Sequence, residues 1–286
     1  WGRYADAIDA AKTHIRYFGP DSDDLHADAL ASAYAALGLA EDAEYWIEVF
    51  RSQWDEKEPP LAATYYFAAQ GAGLRWLSAD LEKAASLIDS EGPYDAPYLL
   101  FYGGLSWIQA GNAQKGVEWL ERGIGLYQRD MVPDDPPDAI DYSLLDRRWP
   151  TPLVVQLAQR LAIAYRVTGT SRGVEQAMDF LEKYRANVQL PTHPATLESL
   201  VLTCVVAGDT DGALGYLRQA LELGWANYYG IVNDPAWADT MQTPEFQALL
   251  AEAKANNNRQ RAIVEAADAE NDFRAEFAKM TSAPSE

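Results

Sequence analysis

Large apolar residues recur at helical spacing through most of the chain, each with a small residue nearby and a glycine four residues further on. The pattern Leu30-Ala31-x-x-Tyr34-x-x-x-Gly38 returns as Gly103-Gly104-x-x-Trp107-x-x-x-Gly111. It returns again as Leu161-Ala162-x-x-Tyr165-x-x-x-Gly169 and as Leu200-Val201-x-x-Cys204-x-x-x-Gly208. Offsets of three, four and seven put the large and the small residue on one helix face. The small residue lets a second helix approach, the large one fills the gap beside it, and the glycine supplies the positive φ that ends the helix. Beyond each turn a second small residue follows, in the pairs Gly2/Ala7, Gly38/Ala43, Gly111/Gly116 and Gly208/Ala213. Gly169 joins with a three-residue slip, to Ala177. The pattern predicts antiparallel helix pairs in units of about 34 to 40 residues.

Punctuation between the units agrees. Gly19-Pro20-Asp21-Ser22-Asp23-Asp24 offers helix N-caps ahead of Leu25, and Pro59-Pro60, Gly92-Pro93 and Pro191 stop second helices. A degenerate unit over 61–90 keeps Ala84 and Leu87-Ile88 without a clean turn glycine. The segment from Met131 to Pro152 holds Pro133, Pro136, Pro137, Pro150 and Pro152 among Asp134, Asp135, Asp138 and Asp141. It predicts a long loop over one edge of the array, pinned by Tyr142, Leu144, Leu145 and Trp149. The chain opens at Gly2 on what matches a second helix, with no Met and no leader-like pattern, so it reads as a piece of a longer protein.

These residues resemble the tetratricopeptide repeat, a unit of two antiparallel helices with small residues at their crossing. The likeness covers about four and a half units plus the degenerate one, from Trp1 to about Leu223. It implies an all-α fold, a right-handed solenoid of antiparallel helix pairs over residues 1–223. In such a solenoid the first helices of the units line a concave groove.

After the last unit come Gly224-Trp225-Ala226-Asn227-Tyr228-Tyr229, Asp234-Pro235-x-Trp237 and Thr243-Pro244-Glu245-Phe246-x-x-Leu249-Leu250. This run resembles the segment that closes repeat arrays in bacterial winged-helix regulators of the CadC type and in class III adenylate cyclases. Trp225, Tyr228, Trp237 and Phe246 are expected to cover the apolar end of the last unit. Residues 224–280 are assigned to this capping segment and helix, and 281–286 to a disordered tail. The helix-prone stretch with Ile263, Val264, Ala267, Phe273 and Phe277 is expected to fold back along the last helices, a dimer-forming helix being the alternative. The likeness implies a periplasmic module if CadC-like and a cytoplasmic one otherwise.

Composition narrows the function. Lys+Arg 23 against Asp+Glu 43 leaves a net charge of −20, which repels phosphate backbones and argues against nucleic acid. The apolar stretches, such as the one around Leu200 to Ala207, fall far short of the roughly 18 residues a membrane span needs. Cys204, alone in the chain, excludes an internal disulfide and a cysteine zinc site. His14, His26 and His193 stand outside any metal spacing and read as surface or cap residues. Asp209-Thr210-Asp211-Gly212 lacks the calcium-loop spacing and reads as a helix cap. With no phosphate loop, nucleophile elbow or singled-out carboxylate pair, the reading is a nonenzymatic protein without metal or cofactor.

A groove of first helices suits an extended peptide or a partner helix. The slots that the resemblance turns toward it are Tyr98, Phe101, Leu105 and Gln109, then Gln159 and Arg166, then Glu198. Asp28, Ser32, Gln156 and Leu202 fall at further slots of the same kind, and Arg160 neighbours Gln159. The competing placement puts Tyr98 and Phe101 under the long loop. The expected function is a noncatalytic protein-interaction or sensor module, the repeat region of a bacterial signalling or transcription regulator. The alternatives are a free-standing scaffold, homodimeric through its last helix, and a saccharide-binding or saccharide-cleaving protein suggested by 9 Trp and 16 Tyr.

Overall fold

The computed structural model describes residues 3–19, 26–52, 96–132, 140–146, 151–188 and 194–282. Their regular structure is helical throughout, with thirteen α-helices and no strand among the described residues. The degenerate unit 61–90, Gly2 and Trp149 lie outside them.

Four hairpins carry most of the core. They are α2 (Ala27–Ala36) with α3 (Ala40–Ser52), α4 (Ala96–Gln109) with α5 (Ala113–Met131), α7 (Thr151–Thr168) with α8 (Ser171–Asn187), and α9 (Pro194–Ala207) with α10 (Thr210–Glu222). Every hairpin turns on a glycine at positive φ: Gly38 at 71°, Gly111 at 91°, Gly169 at 78° and Gly208 at 76°. The residue after the glycine donates its N–H to the carbonyl five residues back, as Leu39 to Tyr34, Asn112 to Trp107, Thr170 to Tyr165 and Asp209 to Cys204. That bond satisfies one of the orphan carbonyls at the helix end. The acceptors are the large residues of the sequence pattern, so one position both fills the hairpin and anchors its turn. In two hairpins the following residue then caps the next helix: Asn112 accepts from Lys115 N–H at 3.2 Å and Asp209 from Gly212 N–H at 2.9 Å.

Small residues set how closely the helices approach. A Cβ on Gly116 would lie 2.4 Å from Ile108 and 2.8 Å from the Gly104 carbonyl oxygen, and one on Gly104 would lie 2.6 Å from Leu120. Ala43, Ala177 and Ala213 are fully buried. In α7–α8 the close contact falls on Gly173, which lies under the Tyr165 ring, with Ala177 one helical turn further on.

Neighbouring units touch in order: α4 and α5 pack on α7, and α7 on α9. The proline-rich segment contains a short helix, α6 (Tyr142–Asp146), with Tyr142, Leu144 and Leu145 buried as expected. Tyr142 stacks on Phe180 with ring centres 5.2 Å apart, and the Gln128 side chain accepts from the Asp141 N–H at 2.8 Å.

The two ends of the chain meet. After α11 (Tyr228–Val232) the long helix α12 (Pro244–Glu270) packs on α10 and also on α1 (Tyr4–Phe18), and α13 (Phe273–Ser282) continues the seam. Thr281 and Ser282, expected in the tail, are still helical. Lys12, nearly buried, pairs with Asp268, whose second oxygen accepts from the Tyr34 hydroxyl at 2.9 Å. Arg16 grips Glu276 through two hydrogen bonds of 2.8 and 2.7 Å, and Arg274 pairs with Asp42. Trp46 packs against Phe273 and Phe277 at 5.7 and 5.1 Å between ring centres. The terminal helices thus reach past the last of the described hairpins to the first one. Val264, Phe273 and Phe277 are buried there, and Ile263 points outward.

Gly116→Val forces apart α4 and α5 and should lower stability by roughly 1 to 3 kcal/mol. Gly215→Ala, where a Cβ meets nothing within 4 Å, should raise it by up to about 1 kcal/mol. Urea unfolding of both variants checks the contrast. Arg16 holds the Glu276 carboxyl below its usual range, chiefly by hydrogen bonding. The stability this pair adds is complete above the ordinary carboxylate range and is lost as pH falls below it, through the lowered value of the folded state. Arg16→Gln should therefore flatten the acid limb of a stability-against-pH profile measured from pH 7 to about 3.

Candidate functional site

The candidate site is the face formed by α4, α7 and α9, the first helices of three consecutive units. On α4, Phe101 is 1% exposed beside Tyr102, at 5.0 Å between ring centres, and Leu105 is fully buried. Both belong to the core. Tyr98 lies in the first turn of α4, outside the described side chains. Gln109 is buried near the C-terminal end of the same helix, with neither amide atom in a hydrogen bond.

On α7, Gln159 faces α9. Its amide donates to the Ser199 carbonyl at 2.7 Å and to the Thr203 hydroxyl at 2.8 Å, and Thr203 in turn donates to the Ser199 carbonyl at 2.9 Å. This slot therefore ties two first helices together. Arg166, near the end of α7, is exposed, and Val167 beside it is 73% exposed. On α9, Glu198 accepts from the Trp225 indole N–H at 2.7 Å and from the Asn227 amide at 2.9 Å. Burial pushes its carboxyl upward against those two bonds and the pull of Arg160. The Tyr4 phenol is also driven upward, mainly by burial and further by the Glu198 charge. Asp28, Ser32 and Gln156 are half-buried, and Leu202 is buried.

The chain itself therefore occupies the α9 end of the expected groove. The exit Gly224-Trp225 repeats the hairpin turn, Trp225 N–H donating to the Ala220 carbonyl at 2.9 Å. Instead of starting another hairpin, it lays Trp225 and Asn227 onto Glu198. Asn227 and Asp234 then cap the short turns that follow, accepting from Gly230 N–H at 3.2 Å and Ala236 N–H at 3.0 Å. Asp234 also meets Arg160 in a bidentate pair in which neither side chain is more than 2% exposed. Trp225, Trp237 and Phe246 are buried as expected of a closing segment, with Tyr228 half-buried under the Lys254 ammonium at 5.4 Å.

The Arg160–Asp234 pair is the main feature that sequence reading missed. Asp234 was legible as a turn residue ahead of Pro235, and Arg160 as a neighbour of a groove slot. Their separation of 74 residues hid the contact. Cys204 is buried with its thiol pushed up by burial, despite Arg185 at 3.5 Å, and so makes a poor nucleophile.

Comparison with known protein families, curated proteins and solved structures returns no match to this chain. What the site does has to be argued from its own groups. It offers hydrogen-bonding amides, one exposed cation and buried aromatic rings, arranged around a self-filled end.

Removing one partner of a buried pair leaves the other charge without compensation. Asp234→Ala should cost about 3 to 5 kcal/mol and also uncaps the turn at Ala236. Arg160→Met combined with Asp234→Ala should cost clearly less than the two single losses added together, which a double-mutant cycle by urea unfolding measures.

Proposed function

We propose that this chain is a noncatalytic protein-interaction or sensor module, the repeat region of a bacterial signalling or transcription regulator. In this reading its hairpins form a right-handed solenoid of tetratricopeptide-like units. One observation carries it: the same glycine turn, with the same five-residue hydrogen bond, closes four hairpins, and in three of them the first helices, α4, α7 and α9, pack in sequence order, α4 on α7 and α7 on α9. A row of parallel first helices is the surface on which such arrays receive peptides.

Within that reading the partner lies over α4 and α7. Gln159 and Glu198 are committed to the chain's own contacts, and Phe101 and Leu105 support the surface from beneath. Arg166 and Val167 stand exposed at its edge, and Tyr98 belongs to the same stretch of α4 in sequence.

A photo-crosslinking residue placed at Val167 should capture a defined partner in cells producing the intact parent protein. One at Arg218, on the second helix α10, should not. Arg166→Glu should weaken the captured partner's binding by about tenfold, the usual cost of reversing one contact charge, with the helical signal unchanged. Equal adducts from both positions, or none from Val167, would sink the proposal.

A further inference from the structure

Two of the chain's three histidines stand side by side. His14 is on α1 and His26 occupies the N-cap position of α2. Their ring centres are 4.3 Å apart, with the planes inclined at 62°. The His14 ring also rests against Phe18, at 4.4 Å between centres. Its Nδ1 is buried and makes no hydrogen bond.

A buried ring nitrogen without a partner is a group whose bonding capacity is unused. When it carries the lone pair of neutral imidazole, it is the donor that zinc, copper and nickel prefer over oxygen. Two imidazoles sharing one cation at about 2.0 to 2.1 Å hold their ring centres about 5 Å apart. The observed pair is under about 1 Å tighter than that, a gap that rotation of His26 about its own side-chain bonds closes. Both residues are half-buried, the His14 Nδ1 atom itself being covered. The net charge of −20 raises the local concentration of cations around the molecule.

We propose that His14 and His26 together bind one divalent cation of the zinc class. Among the described residues no cluster of three or more His, Cys, Asp or Glu side chains is formed. With two imidazoles as its protein ligands, the proposed site leaves coordination positions open to water or to an incoming group. That makes it an open site of micromolar affinity, unlike a closed structural zinc site. The cation also adds a tie between the end of α1 and the start of α2, two helices already packed on each other.

The test is calorimetric titration of zinc chloride into the full chain, in buffer containing calcium to saturate sites made of oxygen alone. One equivalent should bind in the micromolar range. His14→Ala and His26→Ala should each weaken it by at least about tenfold, and His193→Ala should leave it unchanged. His14→Gln, which keeps the bulk, repeats the comparison if the alanine variant loses helical signal. Copper(II) added to the wild-type chain should show nitrogen coupling from two imidazoles in its paramagnetic resonance spectrum. Zinc affinity equal in wild type and both variants, no zinc binding, or a copper spectrum without that coupling would overturn the proposal.

Discussion

The amide of Asn257 joins three parts of the molecule, and the arrangement of the chain ends depends on it. Fully buried on α12, it donates to the Ala36 carbonyl at 2.7 Å and to the Ala226 carbonyl at 2.9 Å. Ala36 is the last residue of α2, and Ala226 lies in the exit from α10. The Ala36 oxygen lies at the end of a helix, where no intrahelical donor remains, whereas the Ala226 oxygen, ahead of α11, also accepts from the Tyr228 N–H at 2.8 Å. Leaving one buried and unpaired costs about 1 to 3 kcal/mol. The first hairpin is therefore incomplete until α12 lies against it, and the same amide ties the closing segment to that junction. Tyr229 reinforces the junction from α11, its ring seated so close to Gly38 that a Cβ there would lie 2.3 Å away. The glycine that turns the first hairpin is thus also the floor on which the closing segment sits.

Around that junction the seam alternates apolar and charged layers. The Arg16 guanidinium covers the Phe273 ring at 4.7 Å, and the Arg274 guanidinium covers Tyr45 at 4.8 Å. Each arginine also holds a carboxylate, Glu276 or Asp42. Burial raises the Asp42 carboxyl, and Arg274 offsets that cost, so the aromatic packing and the ion pair stand or fall together. A seam built this way is specific about register, since sliding α13 by one turn would part Arg274 from Asp42 and Glu276 from Arg16.

Sequence reading reached the hairpins and stopped at the seam. The hairpins were legible because each depends on local chemistry: a turn glycine, a large residue four positions before it and a small one shortly after. Ala43, Gly116 and Ala213 were placed correctly for that reason. The α7–α8 crossing was read at Ala177, whereas Gly173 makes the close contact. Two small residues one helical turn apart look alike in sequence, and only the position of Tyr165 separates them. The seam, the Arg160–Asp234 pair and the His14–His26 contact carry no such local mark, because their partners come from different helices. Glu198 shows the difference at one residue. Its place on the first-helix face was readable, but its occupation by Trp225 and Asn227 was not, since Trp225 read only as a cover for the apolar end and Asn227 carried no local mark of a partner.

Charge decides what kind of partner an exposed face can receive. Several of the chain's 23 cationic residues are engaged with its own carboxylates, including Lys12, Arg16, Arg160, Arg185, Arg261 and Arg274. The 43 acidic residues outnumber the 23 cations, leaving a net charge of −20, so many cannot be paired one to one and the long-range field is negative. A basic segment is drawn toward such a surface faster than a neutral one, and an acidic segment is turned away. At physiological salt this steering acts within a distance of about 8 Å, so it selects partners in the final approach. Arg166, exposed on α7, interrupts that field locally. A segment that is basic overall and carries one carboxylate at the matching position satisfies both, and an acidic or uniformly basic peptide satisfies only one. On the proposed reading, the hydrogen-bonding groups and Val167 would set how tightly the oriented segment stays, which is a matter of dissociation rate more than of encounter.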